Sequence, residues 1–124
     1  MSFIRINGKP FPSPAPNVAL TVTTAVNAGR NANNKVVGQK IGRDNHKIDN
    51  LTWPYLDTAT WSAILQEFDS HFFSTVQFWN MVKNDWDTLT MYPGDRTAEV
   101  YMTDKEGKPL YYLNCKVNIV DAGW

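Results

Sequence analysis

The residue types that could carry out catalysis are few and unfavourably spaced. The chain has two histidines and one cysteine, and Asp69-Ser70-His71 contains the three residue types of a hydrolase triad. Adjacent residues cannot adopt triad geometry, because the members of a triad come from separate segments that meet in space. We therefore expect a structural or solvated role for these three residues, and solvent exposure for His46.

Cys115 and the pair Asp85 and Asp87 also favour structural roles. Cys115 has the apolar parity of the last predicted strand, and free cysteine is among the most often buried residue types. The two aspartates are spaced like the first ligands of a calcium loop, but the glycine and glutamate that such a loop requires are missing. A single cysteine provides neither an internal disulfide nor a paired-cysteine zinc site. We expect no catalytic residue, metal or cofactor, and an enzyme is the least favoured class.

The composition is that of a folded chain without charge excess. Hydrophobic residues make up 43% of the 124 residues, and 12 basic residues balance 12 acidic ones. The apolar content excludes a disordered chain, and the neutral charge disfavours sequence-specific nucleic-acid binding. No apolar run approaches the ~18–20 residues that span a bilayer, and the N-terminus lacks a signal-peptide pattern. We expect no membrane partner and synthesis in the cytoplasm.

The stretch from Asn27 to Asn45 is too polar to order itself as a small core. Such a long loop is uncommon in a compact domain and is usually functional or disordered. Two interpretations have equal weight: a solvated loop, or an arm that becomes ordered on a neighbouring subunit. The candidate assembly residues on the arm are Arg30, Asn31, Asn33, Lys35, Val36, Val37, Lys40, Ile41 and Arg43.

Aromatic residues are abundant, with five Trp, five Tyr and six Phe. Most must pack in the core, but some exceed what a domain of this size can enclose. Aromatic side chains are enriched at interface hot spots. The candidate interface aromatics are Trp79, Trp86, Tyr92 and Trp124.

The elements that must position these residues are mostly strands. Period-two alternation predicts a strand at 19–26, a second at about 46–53 that ends at Pro54, and a meander of strands after residue 72. Asn7-Gly8 is typical of a two-residue hairpin turn.

One helix is predicted at about 58–70, with Asp57 or Thr58 as its N-cap. Its apolar residues recur with helical spacing, and Glu67 lies off that face. The predicted fold is mainly β (α+β), an antiparallel β-sandwich or small barrel with one flanking helix and the long loop at about 27–45. We expect a single domain over 1–124, with an N-terminal hairpin or arm at 1–16 and the sandwich at 17–124.

Five segments together resemble small proteins encoded in the tail-morphogenesis modules of phages and prophages, mostly of Gram-positive bacteria. They are Ile4-Arg5-Ile6-Asn7-Gly8-Lys9, Gly29-Arg30-Asn31-Ala32-Asn33 running to Gly42-Arg43-Asp44, Leu51-Thr52-Trp53-Pro54-Tyr55-Leu56, Tyr92-Pro93-Gly94-Asp95-Arg96, and the strand after Gly107-Lys108-Pro109. The likeness spans nearly the whole chain and contains no catalytic signature. The order of elements is similar to the phage tail-tube fold.

The resemblance implies a structural tail protein located in the virion. Its partners would be itself, in a homo-oligomeric ring for which a hexamer is favoured, and other tail proteins. The long loop would then reach a neighbouring subunit or ring. A tail-completion or baseplate-proximal protein fits as well as the tube itself. The alternative is a monomeric β-sandwich binding module that recognises carbohydrate or peptide through surface aromatics.

Overall fold

A computed structural model describes residues 3–30, 32–33 and 35–124, except for the side chains of 27–30, 36–37 and 39–41. The described part contains one helix and a single antiparallel sheet of eight strands that does not close on itself. This confirms the predicted mainly β fold. The elements are β1 (Arg5–Ile6), β2 (Lys9–Pro10), β3 (Ala19–Arg30), β4 (Val36–Asp57), α1 (Thr58–Ser70), β5 (Ser74–Asn80), β6 (Asp85–Pro93), β7 (Thr97–Thr103) and β8 (Pro109–Asp121).

Strand β8 is the branch point of the sheet. The pairing order is β2-β1-β5-β6-β8-β4-β3, and β7 pairs with β8 beside the short β6–β8 ladder. Strands β4 and β5 do not pair with each other in the described residues. Nevertheless, the ring of His46 on β4 lies 5.4 Å from the ring of Phe78 on β5. The two halves of the sheet therefore face one another across this contact. His46 is half-buried, so its predicted solvent exposure was wrong.

The N-terminal hairpin forms as predicted. Asn7 and Gly8 have φ values of 52° and 79°, which a two-residue turn of this type requires. Strand β1 also pairs with β5, whereas β2 pairs only with β1 within the described residues. Pro10 thus lies on an outer strand, where a missing backbone donor costs no ladder hydrogen bond.

The segment predicted as a loop at about 27–45 is instead the continuation of two strands. Strands β3 and β4 pair from Ala19↔Asp49 to Arg30↔Val36, with a register shift between Thr23 and Ala25. The error arose because a two-stranded ribbon is ordered by its backbone ladder, which needs no apolar alternation. The predicted antiparallel pair is confirmed, but its tip is a β-ribbon with a turn at residues 32–33.

Strand β4 also continues through Pro54, which was predicted to end it. Trp53 pairs with Cys115 and Tyr55 with Leu113, whereas Pro54 lies between these pairs. The proline thus occupies a position where the ladder is interrupted, which a strand tolerates.

Helix α1 has the predicted limits and the predicted cap. The Asp57 carboxylate accepts a hydrogen bond from the Thr60 backbone N–H at 2.9 Å. On the buried face, Trp61 lies 6.2 Å from the Trp53 ring, and Phe68 lies 6.0 Å from the Phe11 ring. The helix therefore fastens the N-terminal segment and β4 to one core.

The core draws on β1, β4, β5, β6, β8 and α1, and none of its buried hydrophobic residues lies in the described part of β3 or in β7. Cys115 is fully buried, as predicted, and burial raises the pKa of its thiol. The other buried hydrophobic residues are Ile4, Ile6, Phe11, Ile48, Leu51, Trp53, Leu56, Trp61, Ile64, Phe68, Val76, Phe78, Met91, Val117 and Ile119.

Candidate assembly surfaces

The arm residues proposed from sequence are only partly within the described structure. Asn33 and Lys35 are exposed and lie between the ends of β3 and β4. Asn31 lies outside the described residues, as do the side chains of Arg30, Val36, Val37, Lys40 and Ile41. The backbone of these last five belongs to the paired strands. The arm is thus a two-stranded ribbon, because β4 pairs with β8 only from Lys47 onward in the described part.

Arg43 forms an intramolecular clip at the base of the arm. Its guanidinium donates to the Asp121 carboxylate at 2.6 and 2.7 Å and to the main-chain oxygen of Trp124 at 3.0 and 3.3 Å. A further bond of 2.9 Å reaches the Asp44 carbonyl. Arg43 therefore joins β4 to the C-terminal segment within its own chain.

Asp121 is buried and fully bonded. Besides Arg43, the backbone N–H groups of His46 and Gly123 donate to it at 3.0 and 2.8 Å. Burial acts to raise the pKa of Asp121, but the hydrogen bonds from Arg43, Gly123 and His46 outweigh it and hold the pKa below its ordinary value. The carboxylate is thus charged in the folded protein and anchors the chain end.

The four interface aromatics predicted from sequence form two separate groups. Trp79 and Trp86 are half-buried and pack edge to face at 5.3 Å between β5 and β6. Tyr92 and Trp124 instead meet two phenylalanines that the sequence analysis did not select. Both Phe72 and Phe73 lie just after α1.

We name Phe72, Phe73, Tyr92 and Trp124 the aromatic knob. Phe73 lies 4.9 Å from the Trp124 ring and 5.8 Å from the Tyr92 ring, and Phe72 lies 5.7 Å from Tyr92. Phe72, Phe73 and Trp124 are 44%, 51% and 72% exposed. Three exposed rings packed with the half-buried Tyr92 form an apolar patch of the kind that marks an interaction site.

Strand β7 is a second apolar surface that the sequence did not reveal. Val100, Tyr101 and Met102 are consecutive, so they point alternately to both faces of the sheet, yet all three are exposed. Within the described residues, β7 pairs only with β8, and that ladder shifts register three times. One edge and both faces of this strand are therefore open.

A stacked tyrosine pair lies on the neighbouring strands. The Tyr55 and Tyr111 rings are 5.0 Å apart and inclined by 27°. The pKa of the Tyr55 hydroxyl is raised, first by desolvation and then by a hydrogen bond with Tyr111. Tyr55 is 52% exposed and presents an aromatic surface to solvent.

A groove of about 620 Å³ separates the N-terminal segment from α1. It is lined by mostly apolar side chains, which include Pro10, Phe11, Ala59, Ala63 and Ile64. We name it the helix groove.

A buried carboxylate, that of Glu67, lines the helix groove. Glu67 accepts hydrogen bonds of 2.7 Å from the Lys9 ammonium and from the Asn7 side-chain amide. The Lys9 bond and then the Asn7 bond lower the pKa of Glu67. Glu67 was predicted to lie off the buried face. It is buried instead, because its partners come from the N-terminal hairpin 58 or more residues away, which helical periodicity cannot reveal.

The residues considered for chemistry do not converge. Asp69, Ser70 and His71 are all exposed, and the nearest carboxylate oxygen to His71 Nδ1 belongs to Glu67, at 3.7 Å. Asp87 accepts one hydrogen bond from the Asn80 side-chain amide, and its pKa is lowered although burial acts to raise it. Among the described residues, no group of three or more His, Cys, Asp or Glu side chains could hold a metal ion.

Comparison with models of protein families, with curated proteins and with solved structures found no match to this chain. In the part of the chain that the structure covers, no helix has the length and apolarity needed to cross a bilayer.

Proposed function

We propose that this chain is a structural component of a phage tail or tail-like particle, located in the virion, that assembles with copies of itself into rings. The observation that carries the proposal is the pair of open strand edges. In the order β3-β4-β8-β7, the outer strands β3 and β7 each have one edge without a partner in the described part of the chain.

These edges lack the lysines and prolines that protect the edge strands of many monomeric proteins. Register shifts, another form of edge protection, do occur in the ladders of β3 and β7. Arg30 is the only charged residue in β3, Glu99 is the only one in β7, and neither strand contains proline. Exposed apolar side chains on β7 add to the tendency to pair with another strand.

The two edges differ in sequence, so β3 of one copy would pair with β7 of the next. Such a head-to-tail contact closes into a ring when the rotation between copies permits it. The neutral formal charge leaves little repulsion between copies. The resemblance to tail-module proteins supports the location in the virion and a six-fold ring, and it covers a tube, a tail-completion and a baseplate-proximal protein alike.

The proposal is tested by the mass of the purified protein, measured by light scattering over a concentration series with negative-stain images of the same samples. Wild-type protein should form rings. Thr23→Lys on β3 and Val100→Lys on β7 place a lysine on each open edge at exposed positions, and each should leave a folded monomer.

The matched control is Thr75→Lys, because Thr75 is also exposed but lies on β5, which is paired on both sides. This variant should assemble like the wild type. A wild-type protein that is monomeric at every concentration, or edge variants that form normal rings, would contradict the proposal.

The second candidate is a monomeric binding module for carbohydrate or peptide. The observation that favours it is the exposed stack of Tyr55 and Tyr111, since aromatic faces are common platforms for such ligands. Under this candidate, a stably monomeric protein would bind an oligosaccharide or peptide in calorimetry, and Tyr55→Ala would abolish the heat of binding.

A further inference from the structure

We infer that the Arg43 clip fixes the angle between the arm and the rest of the sheet, and that a bulge in β4 beneath the arm is the hinge on which this angle depends. The arm would then be held in one direction by a single side chain. The inference concerns the conformation of one copy of the chain, so it does not rest on the proposed assembly.

The ladder between β3 and β4 is interrupted at the base of the arm. Thr23 pairs with Asn45, but the next pair along the ladder is Ala25 with Ile41. One residue of β3 therefore lies opposite residues 42–44 of β4, which we name the bulge, and β4 has two more residues than β3 at this point. Extra residues of this kind disrupt the ladder locally, and they bend and twist the strand that contains them.

The bulge begins with a residue that suits such a bend. Gly42 has a φ of 65°, a left-handed conformation that glycine adopts without steric cost. A Cβ added at this position would meet no atom within 4 Å, so the backbone conformation favours glycine here and crowding does not. The direction of β4 can therefore change at Gly42 without a clash.

Hydrophobic packing of the described side chains does not fix the angle of the arm. The ribbon of residues 25–41 pairs only with itself in the described part of the chain. The side chains of residues 23–26 are exposed, and the first buried hydrophobic residue of β4 is Ile48, which lies below the bulge. The polar contacts of the bulge must therefore hold the arm relative to the sheet.

Arg43 is the middle residue of the bulge and ties it to the end of β8. Its guanidinium donates to both carboxylate oxygens of Asp121, at 2.6 and 2.7 Å, and to the main-chain oxygen of Trp124. A bidentate pair of this kind fixes orientation as well as distance. Asp121 is itself held firmly, because its side chain is fully buried and its backbone pairs with Met91 on β6.

A second contact closes the bulge without reaching the rest of the sheet. The Thr24 hydroxyl donates to the Asp44 carboxylate at 2.6 Å. Thr24 is the β3 residue opposite the bulge, so this bond holds the two strands of the arm together. The connection to β8 is left to Arg43. A segment held in one direction loses little conformational entropy when it meets a partner, which favours binding through the arm.

The test measures the distance between the arm and α1 in the full chain. Spin labels on Ala32→Cys, in the turn of the arm, and on Ser62→Cys, on the helix, report this distance by double electron–electron resonance, and both positions are exposed. Cys115 is fully buried, so it should not react with the label, and protein without added cysteines checks this. An excess of unlabelled protein removes distances between copies.

Arg43→Gln and Asp121→Asn remove the ion pair from its two sides. Lys47→Gln is the matched control, because the ion pair of Lys47 with Asp49 lies within β4. We expect one narrow distance distribution for the wild type and for Lys47→Gln, and a broader distribution for both clip variants. Circular dichroism and thermal melts establish that each variant is folded at the temperature of the measurement.

Three results would overturn the role of the clip. They are a broad distribution in the wild type, clip variants that are folded and have the wild-type distribution, and equal broadening in Lys47→Gln.

Deleting Gly42 and Arg43 tests the hinge separately. Without these two residues, Thr24 can pair with Asp44 and Ala25 with Ile41 in one continuous register. A regular ladder has no bulge at which its direction could vary, so we expect a narrow distribution although the clip is absent. Its mean should differ from that of the wild type, because the bend of the bulge is lost.

A folded deletion variant whose distribution is as broad as that of Arg43→Gln, or has the wild-type mean, would reject the bulge as the hinge. The distances are measured within one copy, so their outcome is separate from that of the proposed function. A wild-type protein that forms no rings but shows the expected distances rejects the ring proposal alone.

Discussion

At the scale of single residues, two buried carboxylates fasten the ends of the chain to its centre. Asp121 holds the C-terminal segment to β4 through Arg43, and Glu67 holds the N-terminal hairpin to α1 through Lys9. Their partners lie 78 and 58 residues away in sequence. Local pattern can therefore place such residues on a strand or helix but cannot identify what they bind.

Replacing Asp121 by Asn should lower the free energy of unfolding by about 1–3 kcal/mol, because the Arg43 guanidinium loses its charged acceptor. Arg43 is partly exposed and can be rehydrated, which limits the loss. The measurement is urea unfolding at pH 7. Asp49→Asn is the control: its ion pair with Lys47 is more exposed, so a loss of under about 1 kcal/mol is expected. Equal losses in both variants would argue against the clip.

The same carboxylates predict the direction of acid sensitivity. The pKa values of Asp121 and Glu67 are lower in the folded protein than their ordinary values. Their contribution to stability is therefore fully present above about pH 5 and is lost as the pH falls through the lower folded values. Unfolding free energies measured between pH 7 and pH 3 should decline below about pH 5, and the decline should be shallower for Asp121→Asn and for Glu67→Gln. A wild-type stability that is flat to pH 3 would contradict this.

At the scale of elements, the sequence predicts those strands, turns and helix ends that have a periodic or capping signal. The helix at 58–70, the Asn7-Gly8 turn and the final strand were all predictable, because each has a periodic or capping signal. The arm was not, since its polar sequence is typical of a loop and its strands pair only with each other in the described residues, which requires no apolar alternation. The knob was only half predictable: Tyr92 and Trp124 were selected as surplus aromatics, but their contact with Phe72 and Phe73 depends on tertiary structure.

The arm can be shortened without disturbing the rest of the sheet. Val26 pairs with Lys40, so replacing residues 27–39 by Asn-Gly joins the strands through a two-residue turn in the existing register. The shortened protein should keep its thermal midpoint within a few degrees, because the removed ribbon pairs only with itself in the described residues. If the arm reaches a neighbouring ring, negative-stain images should show single rings without stacks. Stacks of normal length would show that the arm is not required for stacking.

At the scale of the whole molecule, the neutral charge and the two open edges must be considered together. A protein with 12 basic and 12 acidic residues opposes its own association very little. Unprotected edges in such a protein either aggregate without limit or are consumed by a closed assembly. Fold class alone does not decide between these outcomes, because the result depends on the angle between successive copies.

A closed ring and an open chain differ in how their mass depends on protein concentration. We expect the closed-ring dependence for the shortened-arm protein, because it cannot stack through the arm. In a closed ring each copy makes two edge contacts, whereas an open chain leaves one edge unsatisfied at each end, so intermediates are less stable than the complete ring. Light scattering should show monomer and a single larger species whose mass reaches a plateau. Adding Val100→Lys to the shortened protein should leave monomer only. A mass that rises steadily with concentration, without a plateau, would indicate that the edges of β3 and β7 pair into open filaments and that the chain does not form rings.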